Sequence, residues 1–522
     1  MPLAVLARVG RCQLLYALLM AWSFASQAAE ASAPQAGYPD PERAARVAAL
    51  LPEIDLLYAD LAAKEHLPGL VYGIVLDGKL IHTHGLGYTN LEQQLPVTSS
   101  SRFRIASMTK SFVAMAVLRL RDEGKLRLDD TVARYLPEFA RLHPATADAP
   151  AITIRHLLTM SSGLPEDNPW GDRQMELNNA ALAKFVGGGL AFSSATGSQF
   201  EYSNLGFVML GKLVSKVSGM RFQDYISQRI LQPLGMNDSA WEYARVPAAQ
   251  LAMGYRWSGS GWELEPMLHD GDAAAMGGLI TTADDFARYI ALLQSAWPAR
   301  SDADTGPLRR ASLREMQAPQ AFIGLSAKNT LLDGSTANPK VTFYSYGLAW
   351  SRDSRDVVVV AHSGGLPGFG SIYLFAPNHG IGVFAFSNLR YAPVNAPTTK
   401  VLNLLLETGA LPARPVAPSE LLLERQRQVV ELLQNWDGAA AAALTADNFF
   451  LDRSRADWVE YAGKQLAGIG KISSVGALSA ENQLRGSFPL LGERGTLQVS
   501  FTLTPERVPK VQALKLVPLP SP

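Results

Sequence analysis

Ser107 and Lys110 stand three residues apart in Arg104-Ile-Ala-Ser-Met-Thr-Lys-Ser-Phe-Val-Ala-Met115. The stretch opens an apolar helical run. Three residues is nearly one helical turn, so the hydroxyl and the ammonium stack on one face. A serine at a helix start also has free backbone N–H groups and the positive end of the helix dipole beside it. Those features suit a nucleophile whose proton passes toward the lysine, while N–H groups meet the charge that develops on an attacked carbonyl oxygen. The tetrapeptide alone is weak, because composition yields about one Ser-x-x-Lys in a chain of this length. An N-capping serine next to a surface lysine is the plain alternative. The chain holds no second Ser-x-x-Lys.

Other polar residues with chemical potential have plainer readings. His82 and His84 alternate on a strand; an His-x-His can ligate metal, but no third ligand cluster accompanies it in sequence, so they read as strand residues. His156 and His269 read as structural. Asp284-Asp285 reads as the acidic first turn of a helix rather than a catalytic carboxylate pair. Trp170, Trp257 and Trp262 suit either a substrate cleft or loop packing.

The elements that must position these residues follow from periodicity. Residues 38–64 repeat Val47, Leu50, Leu51, Ile54, Leu57 and Leu61 at helical spacing. Two β-rich runs flank Asp77-Gly78 and predict a hairpin. The Ser107 helix stops at Gly124. Residues 150–163 predict a packed helix, 164–200 loops over a cleft, 205–218 and 222–236 two more helices. Thr282 and the acids after it mark a further helix start. Strand-like runs at 341–350, 356–362, 370–376 and 380–387 predict a β-meander, and 393–409 a closing helix. Strands at both ends of the first 410 residues with helices between them imply an α+β fold, one sheet assembled from distant segments.

Leu411-Pro-Ala-Arg-Pro-Val-Ala-Pro418 reads as a Pro-rich linker over 411–418. Beyond it, helical runs at 421–444 and 454–467 precede strand-like runs at 472–479, 482–488, 494–503 and 511–517. Residues 419–522 therefore predict a small C-terminal α+β domain, similar to a cone-shaped, nuclear-transport-factor-like domain. It has no His and no catalytic set, and reads as structural or substrate-shaping.

With 522 residues the chain exceeds one ordinary domain. Hydrophobic residues make up 48% and charged ones 18%, which excludes a disordered chain. Basic and acidic residues balance at 47 each, so no basic excess points to nucleic acid. Residues 1–28 read as a signal peptide: Arg8 and Arg11, the apolar run from Leu14 to Ala25, and small residues before a cut after Ala28. Cys12 is the only cysteine and leaves with that signal, so the mature chain has no disulfide. A periplasmic or secreted bacterial protein is expected, with no stable membrane span. Oligomeric state is open.

Three elements now stand in order: Ser107-x-x-Lys110, Tyr202-x-Asn204 and His362-Ser363-Gly364-Gly365. Around them lie Phe103-Arg-Ile-Ala-Ser-Met-Thr-Lys110, His156-Leu-Leu-Thr-Met-Ser-Ser-Gly-Leu164, Pro233-Leu-Gly-Met236, Gly277-Gly-Leu-Ile-Thr-Thr-Ala283 and His362-Ser-Gly-Gly-Leu-Pro-Gly-Phe369. The set resembles the serine β-lactamase and penicillin-binding-protein superfamily, in its class C β-lactamase, D-aminopeptidase, DD-peptidase and family VIII esterase branch. The resemblance spans about residues 40–410. It implies an antiparallel sheet flanked by helices plus a helical region over 38–410. Tyr88-Thr-Asn90 also fits Tyr-x-Asn, and the family's order of motifs selects Tyr202.

The resemblance implies roles. Ser107 is the nucleophile. Lys110 cannot act as base while charged, so desolvation or a second cation must lower its pKa, or its charge must instead depress that of Tyr202. Tyr202 then relays protons as tyrosinate. Asn204 donates to Lys110 or to a substrate carbonyl. His362, Ser363 and Gly364 bind substrate, and Ser107 and Gly365 N–H groups form the oxyanion hole. Many β-lactamases carry Lys-Thr-Gly where this chain has His-Ser-Gly; a histidine is a weaker anchor for a substrate carboxylate. The chain lacks Glu-x-x-Leu-Asn, so water activation by glutamate is not expected, and it lacks the Gly-x-Ser-x-Gly elbow of α/β-hydrolases. The expectation is an exported serine hydrolase acting through an acyl-enzyme on a small-molecule or peptide substrate, amide before ester, with no cofactor and no metal. The alternatives are a weak β-lactamase or a non-catalytic penicillin-binding or peptidoglycan-sensing protein.

Overall fold

The hairpin around Asp77-Gly78 is present in the computed structural model, where both turn residues have positive φ, 51° and 79°. That is the backbone a two-residue loop needs to follow strand twist, and Asp-Gly adopts it at low cost. The structure describes residues 38 and 40–520, apart from Pro169, Thr330, Asp333 and Ala337. The signal peptide expected over 1–28 lies outside the described residues. No helix among the described residues is long and apolar enough to cross a membrane. Contacts divide the chain into two compact units, the division falling after Arg414.

The first unit is built on a nine-stranded antiparallel sheet. Its strands are β1 (Gly69–Leu76), β2 (Lys79–Asn90), β3 (Leu95–Pro96), β4 (Ala321–Ser326), β5 (Lys340–Tyr344), β6 (Ala349–Asp353), β7 (Val358–Leu366), β8 (Phe369–Ala376) and β9 (Ile381–Ser387), in the spatial order β3-β2-β1-β9-β8-β7-β6-β5-β4. β1 pairs with β9 from Leu70↔Ser387 to Leu76↔Ile381, closing segments more than 300 residues apart into one sheet. β1, β8 and β9 are buried along their whole length, because both faces of the sheet are covered. On one face pack helices α1 (Arg43–Lys64) and, near the end of the unit, Asn395–Glu407, around Ile54, Tyr58, Tyr72, Val383 and Leu405. On the other packs the helical region, with α2 (Thr109–Asp122), α3 (Asn204–Ser218) and α4 (Ala283–Ser295) around Phe112, Phe207, Phe286 and Tyr373.

Several expected elements take a different form. The helix expected over 150–163 is one turn, Ile154–Leu158, in a reciprocal cap: Thr153 Oγ1 accepts from the His156 N–H and His156 Nδ1 accepts from the Thr153 N–H. His156 is thus structural, as its sequence context suggested. Residues 222–236 are an α-turn, a π-turn and a 3₁₀ turn in series rather than one helix. The run at 341–350 is split into β5 and β6 by a turn at Gly347, φ 68°. A Cβ there would lie 2.8 Å from the Lys110 carbonyl oxygen, so only glycine lets this turn press on the helix that begins at Thr109. Strand β4 was not expected; it is the sheet's edge, and its apolar residues Phe322, Ile323 and Leu325 are exposed rather than core.

The second unit carries α5 (Glu420–Gln434), α6 (Gly438–Leu444) and α7 (Arg455–Ile469), with strands β10 (Ile472–Val475), β11 (Ser479–Asn482), β12 (Arg485–Gly492), β13 (Gly495–Leu503) and β14 (Val511–Leu519). The sheet runs β10-β12-β13-β14, with β11 also on β12. The single helix expected over 421–444 breaks at Asp437, whose carboxylate accepts from the N–H groups of Ala439 and Ala440 and starts α6. Strand alternation puts Phe488, Leu490, Leu497, Val499 and Phe501 into a core with Trp458.

Candidate active site

Ser107 lies in a 3₁₀ turn, Ala106–Met108, that runs directly into α2. Ala106 has φ 49°, a conformation that disfavours any residue with a Cβ. Three neighbours hold the turn there. The Ile105 N–H donates to the Leu279 carbonyl at 3.0 Å, and the Leu279 N–H donates to Thr109 Oγ1 at 3.1 Å. Phe103–Arg104 pairs with Ile280–Thr281 as a short two-stranded ladder. Ser371 Oγ on β8 donates to the Ile105 carbonyl at 2.8 Å. The segment Gly277–Thr281 is therefore a clamp on the Ser107 turn.

Lys110 follows one turn later and is fully buried. Its Nζ donates to Ser107 Oγ at 2.9 Å, to Asn204 Oδ1 at 2.7 Å and to the Met276 carbonyl at 2.7 Å. Three acceptors match the three N–H bonds of an ammonium. Burial nevertheless drives its pKa down to about 7, with Asp172 and Asp167 pulling it partly back. The group thus sits at the balance point between ammonium and free amine near neutral pH.

Tyr202 precedes α3 and is half-buried against Lys110, with Nζ 5.0 Å from its ring centroid. Its hydroxyl hydrogen-bonds to Ser107, yet burial raises its pKa above the ordinary phenol value. Burial thus disfavours the tyrosinate expected from sequence, whereas it favours the free amine of Lys110. Asn204 is the first residue of α3, after the capping Ser203. Its amide oxygen accepts from Lys110 and its NH₂ donates to Asn168 Oδ1, so Asn204 neither donates to Lys110 nor faces the cleft. A lysine has no lone pair to accept with while charged, which fixes this orientation. Tyr88 and Asn90 lie on β2, Tyr88 exposed at the surface, so the second Tyr-x-Asn is outside the site.

β7 brings the third motif. His362 Nδ1 lies 2.6 Å from the Ser363 carbonyl and its Nε2 3.1 Å from the Tyr344 hydroxyl. A carbonyl only accepts, so Nδ1 carries the proton and Tyr344 donates to Nε2. Burial, then the charge of Lys110, press its pKa to about 3, so His362 is neutral. Gly364 packs rather than lines the cleft: a Cβ would stand 2.4 Å from both the Ile105 carbonyl oxygen and Ser371 Oγ. The lack of a side chain there lets β7 approach the Ser107 turn closely enough for Gly365 and Ser107 to line one cleft. That cleft, about 410 Å³, is lined by Ser107, Tyr202, His362, Ser363 and Gly365.

Its remaining wall was not foreseen. Asn168, Asp172 and Tyr391 complete the lining. Asp172 accepts from the Tyr391 hydroxyl at 3.0 Å, and burial raises its pKa. Asp167 accepts from the backbone N–H groups of Asn204 and Leu205 at 2.7 and 2.8 Å, capping α3 from a distant loop. Nothing in the spacing of 164–178 pairs Asp167 with a helix start 37 residues later; an acidic Asp-Asn pair in a loop was the only visible signal. Trp170 stacks on Phe185, Trp257 on His66, and Trp262 donates to the His66 carbonyl; none lines the cleft. Asp284 and Asp285 sit in the first turn of α4, and His269 is held by Glu242 and Tyr243.

A family model described as Beta-lactamase matches residues 54–407, which contain every residue of this cluster. The chain belongs to the β-lactamase family. Among curated relatives it is 28% identical over 360 residues to protein flp of Staphylococcus aureus (strain COL), covering 67% of this chain and 66% of flp, so it spans just under two thirds of that protein's length. It is 25% identical over 337 residues to penicillin-binding protein 4* of Bacillus subtilis (strain 168), covering 62% of this chain and 69% of the relative. The fold is shared with an octameric penicillin-binding protein homologue from Pyrococcus abyssi, at TM-score 0.57 and 22% identity over 88% of this chain and 93% of that one. It is also shared with a penicillin-binding protein from Bacillus halodurans, at TM-score 0.53 and 22% identity over 67% and 99%. The family is of the serine acyl-transfer and hydrolase type, and the sheet with its two helical faces is the fold that the motif resemblance implied.

Proposed function

We propose that this β-lactamase-family protein is an exported serine hydrolase that forms an acyl-enzyme on Ser107 and acts on amide, peptide or ester substrates. The observation that carries the reading is the buried Lys110 Nζ, 2.9 Å from Ser107 Oγ with a pKa near 7. As the free amine, Lys110 accepts the Ser107 proton while Oγ attacks the carbonyl carbon. The Ser107 and Gly365 N–H groups hold the oxyanion, an arrangement worth about 3 kcal/mol per donor. The leaving group takes its proton from the Lys110–Tyr202 pair, Tyr202 acting as a neutral relay. Water then reacts with the ester by the same route in reverse. No step needs a metal or cofactor.

The electrostatics of the cleft favour substrates without a carboxylate at the β7 end. His362 is neutral, and Asp172 and Asp167 are the charges near Lys110. An anionic β-lactam meets a neutral imidazole rather than a lysine on β7, the arginines of this wall, Arg173 and Arg390, lying against Tyr391 instead, which ranks rapid β-lactam hydrolysis lower. The name of the Bacillus subtilis relative favours a second reading, acylation by penicillins with little turnover. Export rests on the charge and apolar pattern of residues 1–28.

Intact-mass spectrometry with a fluorophosphonate and with a penicillin, beside Ser107→Ala, tests these readings. A single fluorophosphonate adduct absent from Ser107→Ala is expected. Decay of the penicillin adduct marks a hydrolase and its persistence a penicillin binder. Labelling that survives in Ser107→Ala removes the serine from the mechanism.

A further inference from the structure

On the sheet face that carries α1, the fold joins residues that are far apart in sequence. His82 and His84 occupy β2 positions opposite Ile74 and Tyr72 of β1, so their side chains share the face on which α1 packs. Asp55 comes down from α1 onto the same spot. One ligand atom from each of the three lies within 4.8 Å of the others. His82 Nε2 is 2.9 Å from Asp55 Oδ1, and the Tyr72 hydroxyl donates to that same oxygen. The third ligand that the His-x-His spacing lacked is thus supplied by a helix.

We propose that Asp55, His82 and His84 form a binding site for a divalent transition-metal ion of the zinc class, on the face of the sheet away from the Ser107 cleft. Two imidazole nitrogens and one carboxylate oxygen are the donor set that selects zinc-like ions over magnesium and calcium, which prefer all-oxygen shells. The distances fit a nearly preformed site. Ligand atoms in a tetrahedral zinc site, with bonds of about 2.1 Å, stand about 3.4 Å apart. Small side-chain rotations close the difference, and His84, exposed and held only by ring contacts to Tyr72 and His82 among the described residues, is free to make them. The ion replaces the direct His82–Asp55 hydrogen bond, His82 moving its proton to Nδ1 so that Nε2 can ligate. The Tyr72 hydroxyl then orients the ligating carboxylate, the outer-shell support such sites commonly have. Water completes the shell on the exposed side. Bound there, the metal ties α1 to β2.

The test is a zinc titration of the tag-free, chelator-stripped full chain by calorimetry, repeated in millimolar magnesium. One saturable equivalent of zinc that magnesium does not displace is expected. His84→Ala, at an exposed position that leaves the fold intact, should weaken binding at least tenfold, as should Asp55→Asn, and His82→Ala/His84→Ala should abolish it. Absence of a saturable equivalent overturns the proposal. So does unchanged affinity in Asp55→Asn or in the double variant, which would send the zinc to other groups. Circular dichroism and Ser107 labelling of each variant confirm that any loss of binding is not loss of fold.

Discussion

The two faces of the nine-stranded sheet each carry a cluster of polar side chains, and the clusters differ in burial. Around Ser107 the central polar groups are enclosed and partnered: Lys110 makes three hydrogen bonds, Asn204 joins it to Asn168, and His362 is held at both nitrogens. Around Asp55 the groups are half-exposed, and His84 has no hydrogen bond among the described residues. Enclosure changes acid–base character: Lys110 falls to about 7 and His362 to about 3. Exposure leaves donor atoms open for a ligand. The same sheet thus carries desolvated polar groups on one side and half-exposed donor atoms on the other, and the difference is desolvation.

The largest break in this contrast is Ser107→Ala. It should cut turnover on the order of 10⁴-fold or more while leaving the melting temperature within a few degrees, measured by ester hydrolysis and calorimetry. Next is Lys110→Met, which should lower kcat/KM by about 10²- to 10⁴-fold. It should also reveal the cost of the buried amine. The folded pKa of Lys110 lies below the unfolded one, so the unfolded chain binds more protons between pH 7 and pH 10 and the wild type gains stability as pH rises through that window. Denaturant titrations should therefore show the stability of wild type relative to Lys110→Met increasing from pH 7 to pH 10; a flat difference would contradict a depressed Lys110.

Asp172→Asn is a finer probe. Asp172 raises the Lys110 pKa, so its removal should move the basic-form limb of kcat/KM to lower pH by less than about one unit. A shift to higher pH would contradict that assignment. The same profile should show no limb near pH 6.5 from His362, whose burial keeps it neutral. The smallest expected effect on turnover is that of His84→Ala, within about twofold of wild type, because its cluster lies on the opposite face.

Much of the chemistry was legible from spacing. Ser107 and Lys110 are one helical turn apart, a relation that any helix enforces. The Asp77-Gly78 turn and the apolar runs of β8 and β9 were equally local. The reverse holds for Asp167, Asp172, Tyr344 and Tyr391, which reach the site through loops and strand ends with no periodicity tying them to Ser107. Strand β4 escaped because it is an edge strand whose apolar residues face outward, against the usual inward rule. Asn204 was placed at the site by its motif, but its direction, oxygen to Lys110 and NH₂ to Asn168, depended on two partners brought from elsewhere in the chain.

Identity and local spacing therefore determined the pairing of Ser107 with Lys110, the glycines that admit close backbone approach and the alternation that builds both sheets. Tertiary structure alone decided which of these groups lose water. It buried Lys110 beneath α3 and the Met276 carbonyl, lowered its pKa while raising that of Tyr202, and brought Asp55 to His82 and His84 across a helix–strand contact. The physical reason is that hydrogen-bond geometry between near neighbours is written into the chain, whereas solvation and the meeting of distant segments exist only once the core has closed.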